Sequence, residues 1–308
     1  MKIFSGSAVA LVTPFDKSGE INYKTFERLL EFQLENNTQA IIISGTTGES
    51  ATLSDQEKLD LISFAVNKCE KKVPIIAGTG SNNTKHALDL TIRAKNLGAD
   101  ACLIVTPYYN KTSQAGLIQH YKKISEAGLP IIIYNVPSRT GLNILPDTYK
   151  KLFELKNIIG LKEANNNISQ VAETFYLCDY LSNYLSDSDD NDNENNKNNF
   201  CLYSGNDDQI VPVLSLGGSG VISVLANIFP RETNNICQDY FNGNIKKSRD
   251  TQIKFLDLIK NLFCDINPIP IKFAMNYMGL NVGETRLPLT DLSPENKNKL
   301  ITSLKKFI

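Results

Sequence analysis

Histidine is nearly absent from this chain of 308 residues: only His86 and His120 occur. A histidine-ligated catalytic metal or a Ser/His/Asp triad is therefore poorly supplied. The six cysteines, Cys69, Cys102, Cys178, Cys201, Cys237 and Cys264, never form a Cys-x-x-Cys pair. Neither a zinc site nor a disulfide framework is suggested, and they read as reduced core residues. Charge of one sign is missing too: 32 basic against 33 acidic residues leave a formal charge of -1. No overall field draws the chain to nucleic acid or anionic lipid, so neither is expected as a partner. No run approaches the ~18 apolar residues of a membrane helix. The stretch 1–12 imitates a secretion signal only faintly, since Ser5, Gly6 and Ser7 interrupt it and Pro14 and Asp16 follow. A cytoplasmic location is the expectation. Gly78-Thr79-Gly80 lacks the third glycine of a dinucleotide loop, there is no Walker sequence, and Gly217-Gly218-Ser219-Gly220 precedes a strand rather than following one.

What is present is alternation. Eight short apolar runs, at 8–12, 40–44, 73–77, 101–105, 131–134, 158–162, 200–203 and 220–224, are separated by amphipathic stretches. One of these opens with the capping box Ser54-Asp55-Gln56-Glu57. Strands unbroken by charge until their last residue predict a closed (β/α)8 TIM barrel rather than an open sheet. After Val224 the strand pattern stops, and Phe255, Leu258, Ile259, Leu262, Phe273 and Met278 recur at helical spacing. The last helix is predicted to start at Ser293-Pro294-Glu295. The expected organisation is a catalytic barrel over 1–229 and a C-terminal helical domain over 230–308. The acidic, asparagine-rich stretch 186–199 has no apolar residue and is expected to be a flexible insert on the N-terminal rim, whose deletion spares the rate. Asp187, Asp189 and Asn191 alternate as in a calcium loop, but Asp192 and Asn198 stand where glycine and glutamate belong, so no metal is expected.

Reactive groups in such a barrel come from the C-terminal ends of strands. Those ends read Gly45-Thr46-Thr47-Gly48-Glu49-Ser50, Thr106-Pro107-Tyr108-Tyr109-Asn110, Tyr134-Asn135-Val136-Pro137-Ser138-Arg139-Thr140-Gly141, Lys162-Glu163 and Ser204-Gly205-Asn206-Asp207. A lysine that ends a buried strand has a depressed pKa and becomes an amine nucleophile. An α-keto acid would use every group here: lysine for the ketone, a glycine-flanked hydroxyl loop for the carboxylate, a tyrosine for proton transfer, and arginine for a second carboxylate. Each feature also has a plain structural reading: a snorkelling lysine, a tight turn, rim aromatics, a surface ion pair. Their joint appearance at successive strand ends favours chemistry.

These strings, in this order, resemble the pyruvate-dependent class I aldolases of the dihydrodipicolinate synthase and N-acetylneuraminate lyase superfamily, and within it the dihydrodipicolinate synthase group. The resemblance runs nearly end to end and is most specific in the string ending at Arg139. It implies condensation of pyruvate with aspartate 4-semialdehyde to 4-hydroxy-tetrahydrodipicolinate, toward diaminopimelate and lysine. It further implies that Lys162 forms the imine, and that Tyr134 relays protons through Thr46 to Tyr109, which reaches into a neighbouring subunit's site. Thr47 would contact pyruvate's carboxylate, Arg139 would hold the semialdehyde's carboxylate, and Gly205 and the Ile222 carbonyl would line the cavity. A homotetramer built as a dimer of dimers is implied, with no metal or organic cofactor. In lysine-inhibited members, positions matching Asp55, Lys58 and His86 carry two histidines and a glutamate, so weak or absent inhibition by lysine is expected here. Two alternatives stay open: a sister lyase acting on a sugar acid or another keto acid, and a non-catalytic binding barrel.

Overall fold

A computed structural model describes residues 2–180 and 201–308 of the protein. Eight parallel strands close on themselves in sequence order: β1 (Gly6–Ala10), β2 (Ala40–Ile43), β3 (Ile75–Gly78), β4 (Ala101–Val105), β5 (Ile131–Asn135), β6 (Ile158–Glu163), β7 (Cys201–Ser204) and β8 (Gly220–Ser223). Closure is made by β8 against β1, with Ala8 opposite Ile222 and, on its other side, Ala40. The expected (β/α)8 barrel is the fold found. Both faces of each strand are covered, which is why the runs read as continuously apolar rather than alternating. Ala8, Ala10, Ala40, Ile42, Ala101, Ile132, Tyr203 and Ile222 pack inside the barrel. Val9, Ile41, Ile43, Ile104 and Leu161 face the helices.

Strand limits differ from the sequence reading for local reasons. The first strand, expected over 8–12, is Gly6–Ala10 because the backbone N–H of Val12 leaves the ladder and donates to Asn227 Oδ1 at 3.1 Å. The third begins at Ile75 because Pro74 has no N–H to pair, although its carbonyl still accepts from Ile41. The capping box is formed as predicted: Ser54 Oγ accepts from Glu57 N, and Glu57 Oε2 accepts from Ser54 N. The last helix, Pro294–Leu304, starts at the Ser293 cap. The insert at 186–199 and Phe200 lie outside the described residues.

After β8 come helices Pro230–Phe241, Ile245–Asn261, Ile269–Tyr277 and Pro294–Leu304. The first is fastened to the barrel, where Asn234 Oδ1 accepts from Ser7 N at 3.1 Å. The segment between Ile245–Asn261 and Ile269–Tyr277 runs over the mouth of the barrel at the C-terminal ends of the strands. It brings Asn267 to the loop after β2, and the helix that follows brings Lys272 there. Among the described residues no helix is long and apolar enough to cross a membrane.

Candidate active site

Lys162 is the sixth-strand residue that faces the barrel interior, between Tyr134 of β5 and Tyr203 of β7 in register. It is 5 % exposed. Its ammonium nitrogen lies 4.3 Å from the centroid of the Tyr134 ring. Burial lowers the amine's pKa to about 8; the negative charge of Asp207 opposes that shift and the positive charge of Arg139 adds to it. With a pKa of about 8, roughly one such amine in ten is uncharged at pH 7, and it is this uncharged form that attacks a carbonyl.

Tyr134 is buried, and burial raises its phenol above the ordinary value while Arg139 and a hydrogen bond with Thr46 pull it back. Thr46 and Thr47 lie in the loop after β2, which can lie close to β3 because residue 78 is glycine: a Cβ there would meet Ser44 O at 2.2 Å. Thr46, Tyr134 and Arg139 line one cavity of about 570 Å³, together with Lys58, His86, Tyr108 and Asn267. That volume suits a small-molecule site. Arg139 sits in the short helix Pro137–Thr140, and its Nη2 donates to the main-chain oxygen of Asn267 at 3.0 Å. Thr47 is buried beside it, with its Oγ1 accepting from Asn267 Nδ2 at 3.0 Å.

Gly205 and Ile222 stand on the β7 and β8 side of the interior. The Gly205 N–H donates to Glu163 O at 2.6 Å, and any Cβ at 205 would come within 2.6 Å of the Ala164 Cβ. Ile222 is fully buried in the inner core with Tyr134 and Ala164. Asp207 accepts from the amides of Val224 and Leu225, so one carboxylate both fixes the chain after β8 and faces the charge of Lys162. On the opposite face of β6, Glu163 accepts from Asn135 Nδ2, Tyr149 Oη and Asn165 N, and burial pushes its pKa up to about 7. Among the described residues no three His, Cys, Asp or Glu side chains are grouped as metal ligands would be.

The fold thus brings together Lys162, Tyr134, Thr46, Thr47 and Arg139, with Gly205 just past the end of β7 and Ile222 on β8. Tyr109 is not brought to them within one chain: it is 92 % exposed and its backbone is left-handed, with φ of 71°. Two residues hold this group in place to which the sequence assigns no role, Asn267 and, at the end of the string Ser204-Gly205-Asn206-Asp207, Asp207. Asn267 lies in Ile266-Asn267-Pro268, a segment read only as part of a helical appendix, and its partner Thr47 is 220 positions away.

A closed parallel barrel with a buried amine at the end of its sixth strand, and hydroxyl, phenol and guanidinium groups around the same mouth, defines a (β/α)8-barrel lyase. More particularly, the chain belongs to the Dihydrodipicolinate synthetase family, whose sequence model matches residues 3–307. It is 51 % identical over 305 residues to the 4-hydroxy-tetrahydrodipicolinate synthase of Caldicellulosiruptor bescii, spanning 99 % of this chain and 97 % of that one. It is 49 % identical to 4-hydroxy-tetrahydrodipicolinate synthase 1 of Clostridium acetobutylicum, over 100 % and 99 % of the two chains. The structure is similar to dihydrodipicolinate synthase from Thermotoga maritima with a TM-score of 0.92 at 43 % identity, covering 99 % of each chain.

Proposed function

We infer that the protein condenses pyruvate with L-aspartate 4-semialdehyde through a lysine imine to give 4-hydroxy-tetrahydrodipicolinate, the first committed step toward diaminopimelate and lysine. The observation that carries this reading is the buried Lys162 amine, with its lowered pKa, against the Tyr134 ring. Lys162 attacks the ketone of pyruvate, and the carbinolamine expels water to form the imine. Loss of a methyl proton turns the imine into an enamine, whose carbon attacks the aldehyde of the second substrate; the amine of that substrate then adds to the re-formed imine carbon, closing the ring and expelling the Lys162 amine. Tyr134, in contact with Thr46 and completed by Tyr109 of a neighbouring copy, moves the protons. Thr47 receives pyruvate's carboxylate, and the Arg139 fork receives the carboxylate of the semialdehyde. Gly205 leaves room, and the Ile222 carbonyl closes the far wall.

The imine is itself the electron sink, so the scheme calls on no metal or organic cofactor. The same reading places the enzyme in the cytoplasm as a homotetramer, a dimer of dimers, and the outward Tyr109 supports such an assembly. A sugar-acid lyase would share the imine machinery but has less use for Arg139 at the cavity wall. Incubation with pyruvate and borohydride, followed by digestion and mass spectrometry, is expected to add reduced pyruvate at Lys162 and nowhere in Lys162→Ala. Unmodified wild-type protein would overturn the reading. Turnover of pyruvate with N-acetylmannosamine in place of aspartate semialdehyde would replace it with the sister lyase.

A further inference from the structure

Asn267 occupies an unusual junction in the cavity wall. Its side-chain Nδ2 donates to Thr47 Oγ1 at 3.0 Å, and its main-chain oxygen accepts from Arg139 Nη2 at 3.0 Å. The residue is 6 % exposed, and its Oδ1 is buried with no hydrogen-bond partner among the described residues. An amide nitrogen can only donate, hence the Thr47 hydroxyl must accept there. Its own proton is then left over, and among the described residues no group accepts it.

We propose that Asn267 is a positioning residue that fixes the direction of the Thr47 hydroxyl, committing its proton to the carboxylate of the keto acid, while its main-chain carbonyl holds the Arg139 fork alongside. This proposal deepens the function inferred above and rests on it, since it takes Thr47 as the residue that receives pyruvate's carboxylate. One residue of the C-terminal segment would then set the geometry of both carboxylate sites, one through its side chain and the other through its backbone. The two links can be separated by substitution, because a change of side chain leaves the main-chain oxygen in place.

The test is a comparison of Asn267→Ala and Asn267→Asp with the wild-type enzyme, alone and in a Thr47→Val background, by steady-state kinetics in both substrates. Asn267→Ala frees the hydroxyl to rotate, and the KM for pyruvate is expected to rise about 3- to 10-fold, as loss of one oriented neutral hydrogen bond allows. The KM for aspartate semialdehyde should move less than twofold, because Arg139 keeps its carbonyl partner. In Asn267→Asp the carboxylate accepts the Thr47 proton and turns an oxygen lone pair toward the substrate's carboxylate. Its pyruvate KM is expected to exceed that of Asn267→Ala, with the semialdehyde KM also rising as the new charge draws Arg139. In the Thr47→Val background Asn267→Ala should not raise the pyruvate KM further.

A pyruvate KM within twofold of wild type in both single variants overturns the proposal, as does a rise in Asn267→Ala that persists without the Thr47 hydroxyl. Should Asn267→Asp fail to fold, Asn267→Ala with and without Thr47→Val decides the same question. A lowered melting temperature with unchanged pyruvate KM marks a purely structural residue and rejects the proposal. Borohydride trapping of pyruvate on the wild-type enzyme separates the two levels: trapping with unaltered variant KM values rejects the role of Asn267 alone, whereas absence of trapping rejects the imine reading and this role with it.

Discussion

At the scale of the residue, Lys162 shows how far chemistry and stability pull apart. Its pKa is lowered to about 8 by burial, whereas in the unfolded chain it returns to about 10.4. Below pH 8 the folded protein carries a charge that its surroundings disfavour, at a cost of about 3 kcal/mol by the size of the shift. Between about 8 and 10.4 the unfolded chain still binds the proton that the folded chain has released, so this residue makes stability rise with pH through that window. Lys162→Met, of similar volume and without charge, is therefore expected to be more stable than wild type by up to about 3 kcal/mol at pH 7, with the gain shrinking toward pH 10.5. Urea unfolding at the two pH values measures it, and a variant less stable than wild type at pH 7 would contradict it. The same amine predicts that kcat/KM for pyruvate climbs through an apparent pKa near 8. Replacing Asp207 by Asn removes the charge that favours the ammonium and should shift that limb to lower pH. The lysine was legible in the sequence because it ended an apolar run, Ile158-Ile159-Gly160-Leu161-Lys162. The role of Asp207 was not, because its two amide partners come from the chain after β8 and only closure of the barrel brings them to it.

At the scale of the element, the loop after β2 is held from outside the barrel. It is bracketed by two non-glycine residues in the left-handed region, Ser44 at φ 58° and Glu49 at φ 57°. Such conformations cost of order 1 kcal/mol each and persist only when neighbours enforce them. For Glu49 the neighbours are in the C-terminal segment. Lys272 Nζ lies 2.8 Å from Glu49 Oε1, both side chains being almost wholly buried, and it also donates to Glu284 O. Arg286 N donates to Glu49 Oε2, and the cations of Lys272 and Arg286 lie over the Phe15 ring at 4.2 and 4.3 Å. Lys272→Met would leave the Glu49 carboxylate buried without its cation, at an expected cost of about 3–5 kcal/mol. Adding Glu49→Gln should recover most of it, since a neutral amide no longer needs the cation. Unfolding midpoints of the single and double variants check this, and equal losses in the two would exclude an unpaired charge as the cause. The eight strands and the Ser54 capping box were legible because their signals are local. The clasp of Lys272 on Glu49 was not, because its partners are 223 positions apart and Lys272 in sequence is the one charged residue on a mostly apolar helix.

At the scale of the whole molecule, the cavity is shared by the reaction and by whatever else reaches its mouth. Lys58 and His86 line it together with Thr46 and Tyr134. Asp55 is engaged by both, at 2.7 Å from His86 Nε2 and 3.8 Å from Lys58 Nζ, so it is committed within the chain. A further ammonium arriving beside Lys58 meets like charge. Free lysine is accordingly expected to inhibit weakly or not at all, and strong inhibition at submillimolar lysine in a steady-state assay would refute this. Tyr109 raises the question of assembly most directly, because a phenol that points into solvent from a left-handed residue contributes nothing to its own chain's cavity. If it completes the proton relay of a second copy, each active site draws Lys162 from one chain and Tyr109 from another. Two defective chains should then complement one another. Lys162→Ala keeps Tyr109 but cannot form an imine, and Tyr109→Phe keeps the lysine but lacks the donor. When the two are unfolded, mixed and refolded together, a site with Lys162 from one chain and Tyr109 from its partner is restored. Activity is expected to rise well above that of either variant refolded alone. If Tyr109 instead serves its own chain, no mixture contains an intact site, and the activity of the mixture stays at the average of the two.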